Sequence, residues 1–389
     1  MRRRLLAALL AAGVALGGTG LAMQDEIARV RAVLSLFDAD RIVWNFSHMA
    51  EMFPSVTLRA PLHEPSPLPR SAVPAAMPAG FAAWVAERQV TSVLVLHDGE
   101  VAFEEYYLGT GPEDLRIGWS LSKSFLGTLT GLSVANGEIA SLDDPVTGYV
   151  PELIGTAYDG ATIRNVLNLA TGVEFDEDYD RFWSDINRMG RLLALGGSLD
   201  RFVAGFDSRW ADPGFAYHYV SIDTHVLGMV LRGATGRTVP ELMNERLFIP
   251  LKLDTDPVYL TDTAGHAFVL GGLNLTTRDY ARFAQMVLDD GRAGGTQIVP
   301  AAWVAEMGTI SAPYGPGWKK GGGYGYQWRI PPDPRPGEVF ARGVFGQYLW
   351  IDRGAGVAIV ITAADRSYGR GETKDTSIEM LRAIVEAVS

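Results

Sequence analysis

The sequence contains no cysteine. Disulfide bonds, a thiolate nucleophile and cysteine-ligated metal ions are therefore excluded. Its six histidines are scattered, and no pair has the spacing of an H-E-x-x-H zinc motif, so we expect no metal and no other cofactor. The formal net charge is −11 at pH 7 and no basic stripe is present, so we expect no nucleic-acid partner.

Lysine is also scarce, because the chain has five lysines against 29 arginines. Only Lys123 has a serine, Ser120, three residues before it. On a helix this spacing places the hydroxyl and the amine on one face, within hydrogen-bonding reach. A neutral lysine amine can remove the proton that keeps a serine hydroxyl unreactive, whereas arginine stays protonated. The pair therefore indicates a serine nucleophile with a lysine base.

The N-terminus is typical of an exported protein. Three arginines, at positions 2–4, precede an uncharged stretch from Leu5 to Ala22, and Gly20 and Ala22 offer small residues for cleavage. We predict a signal peptide over residues 1–22 and a periplasmic or secreted mature protein. The alternative is an uncleaved membrane anchor, for which this stretch is borderline in length.

The rest of the chain predicts an α/β (α+β) fold. Residues 23–80 form an N-terminal segment with a proline-rich connector, and residues 146–290 read as a mostly helical domain. Strand patterns fall in the flanking regions, 81–145 and 291–389, which we assign to the two parts of one α/β domain. Hairpin connections favour an antiparallel sheet flanked by helices, with the helical domain inserted. We expect a small-molecule site in the cleft between them.

Ser120 begins the predicted helix, where unpaired N–H groups favour developing negative charge. A second proton donor is needed for the leaving group, and tyrosine can serve if nearby cations lower its pKa. The stretch that begins at Pro213-Gly214 offers Tyr219, with Tyr217 as a rival. The alternative for Tyr219 is a core aromatic. No G-x-S-x-G elbow is present, which disfavours an α/β-hydrolase fold.

Three motifs together resemble those of the β-lactamase-related serine hydrolases: Ser120-Leu-Ser-Lys123, Tyr219-Val-Ser221, and Arg342-Gly-Val-Phe-Gly-Gln347. That group includes class C β-lactamases, D-Ala-D-Ala carboxypeptidases, esterases and 6-aminohexanoate-dimer hydrolase, and the chain is most similar to the last branch. The resemblance extends through most of residues 90–385. It implies a β-lactamase/penicillin-binding-protein-like fold.

The resemblance also implies roles. Ser120 is the acylated nucleophile, Lys123 its general base or proton relay, and Tyr219 the residue that passes a proton to the leaving group. The backbone N–H groups of Ser120 and Val344 form the oxyanion hole. The residues implied to line the substrate site are Trp119, Trp183, Asp185, Ser221, Gly343, Gly346 and Gln347. For the two tryptophans, ordinary core packing is the alternative.

Two departures from the motifs bear on the substrate. Ser221 stands where β-lactamases usually have asparagine, and Ala341-Arg342-Gly343 replaces Lys-Thr-Gly or His-Thr-Gly. Arg342 is expected to point to the other face of the sheet. We therefore favour a small-molecule ester or linear amide as substrate. The alternatives are a D-Ala-D-Ala carboxypeptidase or β-lactamase, and a non-catalytic receptor that retains the fold.

One acidic cluster, residues 176–180, has two interpretations. A solvated loop is favoured over a calcium site, because runs of like charge are usually solvent-exposed.

Overall fold

The computed structural model describes residues 33–315 and 322–389, together with Ile27, Val30 and Arg31. The predicted signal peptide, 1–22, lies outside these residues. The helices are α1 (Ile42–Asn45), α2 (Met49–Met52), α3 (Phe81–Glu87), α4 (Ser122–Ala135), α5 (Ile163–Leu167), α6 (Asp185–Leu195), α7 (Leu199–Ala204), α8 (Asp223–Thr235), α9 (Val239–Met243), α10 (Ile249–Leu251), α11 (Thr277–Leu288), α12 (Ala301–Met307) and α13 (Thr373–Val388).

The strands are β1 (Ser55–Thr57), β2 (Val90–His97), β3 (Glu100–Tyr106), β4 (Arg116–Ile117), β5 (Val258–Leu260), β6 (Leu273–Leu275), β7 (Arg292–Ala293), β8 (Thr296–Gln297), β9 (Gly323–Gly325), β10 (Trp328–Ile330), β11 (Glu338–Gly343), β12 (Gln347–Asp352) and β13 (Val357–Ala363). Among the residues that the structure describes, no helix is both long and apolar enough to cross a bilayer.

The central sheet has seven strands in the order β3-β2-β13-β12-β11-β10-β9, and every neighbouring pair is antiparallel. It combines strands from both ends of the chain. The β2–β3 turn is the predicted Asp98-Gly99, where φ is +49° and +81°. Both angles suit a tight hairpin turn, and Gly99 adopts the left-handed conformation without steric cost. The antiparallel sheet expected from the hairpins is confirmed.

Helices cover both faces of this sheet. On one face, α3 and α13 bury an apolar layer that includes Trp84, Trp350 and Leu381. On the other face, α4 contacts β10 and β11, and α11 packs against β2, β12 and β13. The sequence placed α11 in the helical region 146–290, whereas in the structure this helix packs against the sheet.

A second sheet was not predicted. Its four short strands have the order β1-β5-β6-β4. Strands of two or three residues are too short to show an alternating pattern, which is why residues 258–275 read as part of a helical region. The pairing of β1 with β5 builds the N-terminal segment into the fold.

Candidate active site

The Ser120–Lys123 pair lies where the chain turns into α4. Trp119–Leu121 form a short 3-10 turn that runs directly into the helix. Lys123 Nζ lies 3.0 Å from Ser120 Oγ and donates a hydrogen bond of 2.8 Å to the carbonyl oxygen of Leu270. Lys123 is 2% exposed, so its amine is held beside the hydroxyl with little freedom. The sequence spacing predicted this juxtaposition.

Tyr219 completes a group of three. Lys123 Nζ lies 5.6 Å from its ring centroid, and Ser120 is among the neighbours that lower its pKa. Burial would raise the pKa of Tyr219, but the charges of Lys123 and Arg329 outweigh it and hold that pKa below its ordinary value. The rival, Tyr217, packs 5.1 Å from Tyr324 and hydrogen-bonds Arg329.

Arg329 was not found from the sequence. Its guanidinium carbon lies 4.8 Å from the centroid of the Tyr219 ring, at a distance typical of a cation–π contact. It stands on β10, far from the three motifs along the chain, so only the tertiary fold brings it to the site. Its charge is one of those that lower the pKa of Tyr219.

Two backbone N–H groups at the site have no acceptor. Among the described residues, neither the N–H of Ser120 nor that of Val344 donates a hydrogen bond to the backbone or to a side chain. Val344 follows Gly343, where an added Cβ would lie 2.2 Å from the carbonyl oxygen of Gly118. Glycine at position 343 therefore lets β11 approach the turn that carries Ser120. The two free donors are of the kind that an oxyanion hole requires.

Four aromatic rings pack around the residues next to these donors. Trp119 precedes Ser120 and Phe345 follows Val344, and both have left-handed φ angles of +47° and +64°. Their ring centroids are 6.1 Å apart. Phe37 stacks on Phe345 at 4.8 Å, and Phe46 lies 5.5 Å from Trp119. Trp119 thus belongs to a partly buried aromatic cluster, and two of the four rings come from the N-terminal segment.

The acidic cluster is not simply a solvated loop, because Glu177 reaches the second motif. Its carboxylate accepts a 3.0 Å hydrogen bond from the Ser221 N–H and a second, very short one from the Ser221 hydroxyl. The Ser221 hydroxyl, which the resemblance implies to contact substrate, is thus bound to Glu177. No group of three metal-ligating side chains occurs in the described part of the chain.

Four further predicted substrate contacts lie in different settings. The side-chain amide of Gln347 donates to the Ala363 carbonyl oxygen at 2.7 Å and accepts from the Ala363 N–H at 3.1 Å, so it ties the start of β12 to the end of β13. Asp185 accepts from the Asp176 N–H. Trp183 is 74% exposed, which excludes the core alternative. Gly346, at φ +89°, lies in the same turn as Gln347. Their contacts with substrate stay predictions.

A buried carboxyl lies behind the second motif. Asp223, which begins α8, accepts hydrogen bonds of 2.8 Å from the Tyr158 and Thr171 hydroxyls. Burial raises the pKa of Asp223 to about 7, although those two hydrogen bonds oppose the shift. No pattern in the sequence pointed to this buried carboxyl.

Comparison with known proteins gives consistent matches. The family model named Beta-lactamase matches residues 81–382. A 6-aminohexanoate-dimer hydrolase of Paenarthrobacter ureafaciens is 31% identical over 322 residues, which cover 79% of this chain and 82% of that protein. A β-lactamase of Escherichia coli K12 is 30% identical over 135 residues, or 35% of this chain and 32% of that protein.

Solved structures share the fold. A Bacillus anthracis protein assigned as a 6-aminohexanoate-dimer hydrolase superposes with a TM-score of 0.78 at 22% identity, covering 90% of this chain and 95% of that one. EstCE1, described as a hydrolase with promiscuous acyltransferase activity, has a TM-score of 0.60 at 17% identity, covering 78% of this chain and 96% of its own.

Proposed function

The chain belongs to the Beta-lactamase family of hydrolases, and from this premise we propose that it is a serine hydrolase that cleaves ester or linear amide bonds through an acyl-enzyme. The observation that carries the proposal is the distance of 3.0 Å between Ser120 Oγ and Lys123 Nζ, with the centroid of the Tyr219 ring 5.6 Å from the same Nζ. These contacts join a nucleophile, a base and a proton donor in one continuous path.

The proposed reaction has two halves. Lys123 in its neutral form accepts the proton of Ser120 while Oγ bonds to the carbonyl carbon. The carbonyl oxygen then carries the negative charge, and the free N–H groups of Ser120 and Val344 stabilise it. When this intermediate collapses, the bond to the leaving oxygen or nitrogen breaks and that atom takes a proton through Tyr219. Water then attacks the acyl-enzyme by the reverse route.

The two alternatives are weaker for reasons seen in the side chains. Ala341 offers no cation where β-lactamases and D-Ala-D-Ala carboxypeptidases have one, and Ser221 is bound to Glu177. A receptor without activity has no need of a lysine amine buried beside a serine hydroxyl, since burying such a group costs free energy.

Labelling with a fluorophosphonate tests the proposal. We expect mass spectrometry to find one adduct, on Ser120, and to find none in Ser120→Ala. Ser208→Ala, which removes an exposed serine, is the matched control and should label normally. Lys123→Ala should lose several orders of magnitude in kcat/KM with 4-nitrophenyl acetate. An unlabelled wild-type protein would support the receptor alternative, and efficient cephalosporin turnover would support the β-lactamase.

We further propose that residues 1–22 direct export. The basis is the arginine triplet followed by an uncharged stretch and small residues at positions 20 and 22. N-terminal sequencing of the protein recovered from the periplasm or medium should begin after Ala22. Full-length protein retained in the membrane fraction would instead favour the anchor.

A further inference from the structure

Two residues with left-handed backbone conformations flank the free donors of the proposed oxyanion hole. Trp119 precedes Ser120 and has a φ of +47°. Phe345 follows Val344 and has a φ of +64°. A side chain in this region of φ crowds the following carbonyl oxygen, so the conformation persists only where the surrounding structure enforces it. The placement of each free N–H therefore depends on what holds the neighbouring residue.

The packing around these two residues comes from the N-terminal segment. The ring centroid of Phe37 lies 4.8 Å from that of Phe345 and 6.0 Å from that of Trp119. The ring centroid of Phe46 lies 5.3 Å and 5.5 Å from the same two. These separations are typical of favourable aromatic pairs. Each of the two N-terminal rings thus contacts both residues that flank the donors, although both rings stand before residue 81, where the family match begins.

Hydrogen bonds fix the same segment to β4, which leads into the turn of the proposed nucleophile. The Ile117 N–H donates to the Phe46 carbonyl oxygen at 3.1 Å. Arg116, which is 2% exposed, donates to the Val43 carbonyl oxygen at 2.8 Å and to the Ser47 hydroxyl at 2.6 Å. Its Nε and its second terminal nitrogen have no acceptor among the described residues. A displaced N-terminal segment would therefore carry β4 with it, because the acceptors of this buried cation lie in that segment.

The two N-terminal rings differ in burial. Phe46 is 1% exposed and belongs to the core, whereas Phe37 is 41% exposed. A ring that stays partly in water contributes less to stability than a fully buried one, because less apolar area leaves the solvent. Replacing Phe37 should therefore remove its stacking on Phe345 without unfolding the protein. The cluster thus offers one residue at which a positioning role can be separated from a role in stability.

We propose that Phe37 and Phe46 are positioning residues of the oxyanion hole. Their rings hold Trp119 and Phe345 in place and so keep the two free N–H groups aimed at one point. This inference rests on the function proposed above, and it makes the oxyanion hole dependent on the chain before residue 81. A displaced donor stabilises an oxyanion less, because a hydrogen bond weakens as its distance and angle depart from the optimum.

Replacing the carbonyl oxygen of a substrate by sulfur tests the proposal. Phenyl acetate develops its negative charge on oxygen, whereas O-phenyl thionoacetate develops it on sulfur, which is a weak hydrogen-bond acceptor. Rates are divided by the alkaline hydrolysis rate of each ester to remove intrinsic reactivity. We expect wild-type kcat/KM to favour the oxygen ester by about 100-fold, which is the scale of one oxyanion donor.

Variants of Phe37 locate the effect. In Phe37→Ala and Phe37→Leu the preference for the oxygen ester should fall by about 3- to 10-fold, because the rate for phenyl acetate falls while the thionoester rate changes little. Phe37→Tyr keeps the ring and should keep the wild-type preference. Trp44→Ala is the matched control, since it removes an exposed ring of the same segment that stacks on His48. Equal losses for both esters in Phe37→Ala, or the same fall in Trp44→Ala, would overturn the proposal.

Hydrogen exchange, followed by mass spectrometry, tests the positioning without turnover. The Gly118 N–H donates to the Leu273 carbonyl oxygen at 2.9 Å, and the Asp365 N–H donates to the Phe345 carbonyl oxygen at 3.1 Å. Peptides that contain these two N–H groups should exchange faster in Phe37→Leu than in wild type, and at the wild-type rate in Trp44→Ala. Unchanged exchange in Phe37→Leu would overturn the inference, whether or not the protein hydrolyses esters.

The two measurements separate this inference from the proposed function. A wild-type protein that hydrolyses phenyl acetate, together with a Phe37→Leu variant that keeps both its oxygen preference and its slow exchange, would retain the hydrolase and refute the positioning role. A wild-type protein that hydrolyses neither ester, together with faster exchange in Phe37→Leu, would contradict the hydrolase and retain the positioning role.

Discussion

Replacing Arg329 by methionine removes the cation that stacks on Tyr219 while keeping a long apolar side chain. The guanidinium carbon of Arg329 lies 4.8 Å from the centroid of the Tyr219 ring, and two unit charges about 5 Å apart interact by about 3 kcal/mol at an effective dielectric constant of about 20. Arg329 is half-buried, so solvent screening reduces this to about 1.5–2 kcal/mol. The tyrosinate then loses stabilisation, and Tyr219 becomes a weaker acid. Its pKa moves up, because Arg329 is one of the charges that lower it.

The rate effect of Arg329→Met depends on the leaving group. A 4-nitrophenolate leaves without a proton, so 4-nitrophenyl acetate should react at nearly the wild-type rate. Benzyl acetate releases an alkoxide that needs the proton of Tyr219. Since part of the lost energy appears in the transition state, we expect kcat to fall by about 3- to 10-fold.

Steady-state kinetics from pH 5 to 10 with the two esters measures the effect. The alkaline limb for benzyl acetate should move to higher pH in Arg329→Met. Arg329→Lys keeps a cation and should remain close to wild type. Equal losses for the two esters, or an alkaline limb that does not move, would refute the assignment of Tyr219 as proton donor under the control of Arg329.

Three further predictions follow from the same site. Glu177→Gln removes a negative charge that raises the pKa of Tyr219. The alkaline limb of the pH profile for benzyl acetate should therefore move to lower pH, opposite to its shift in Arg329→Met. An unchanged limb would contradict an effect of the Glu177 charge on Tyr219. Asp223 has a folded-state pKa of about 7, above its unfolded value, so folding binds an extra proton and stability falls as pH rises from about 4 through 7. Measured by urea unfolding, the free energy of unfolding should fall between these pH values by up to about 4 kcal/mol more in wild type than in Asp223→Asn. Parallel pH profiles of the two proteins would disprove the raised pKa of Asp223. Phe37→Ala removes the ring stacked on Phe345, so kcat for 4-nitrophenyl acetate should fall by about 5-fold with little change in KM because the Val344 donor is held less firmly. Leu34→Ala, which truncates an exposed neighbour, is the control. An equal fall of kcat in Leu34→Ala would show that the stacking of Phe37 on Phe345 is not the cause.

The parts of the site that could be predicted from sequence are those set by local geometry. The Ser120–Lys123 contact follows from one helical turn, and the Asp98-Gly99 hairpin follows from turn chemistry. Tyr219 required a resemblance between motifs, because nothing local places it beside Ser120. The approach of β11 to the nucleophile turn leaves a trace in the sequence as Gly343, although its meaning depends on knowing the partner backbone.

The missed residues depend on tertiary structure. Arg329 lies on a three-residue strand with no motif, and Glu177 sits in an acidic run that resembles any solvated loop. Each is recognised only by what it contacts, the Tyr219 ring in one case and Ser221 in the other. The four-stranded sheet was missed for a related reason, since its strands come from four separate stretches and pair only after the chain has folded.

The N-terminal segment has a consequence for where this protein can be cut. The family match begins at residue 81, yet β1 pairs with β5, and Phe37 and Phe46 pack on rings that flank the nucleophile and the β11–β12 turn. A fragment trimmed to the family boundary would bare an unpaired strand edge and two aromatic surfaces, both of which favour self-association. The segment before residue 81 is thus part of the folded unit, because it covers the edge of β5 and packs on the rings beside Ser120 and Val344.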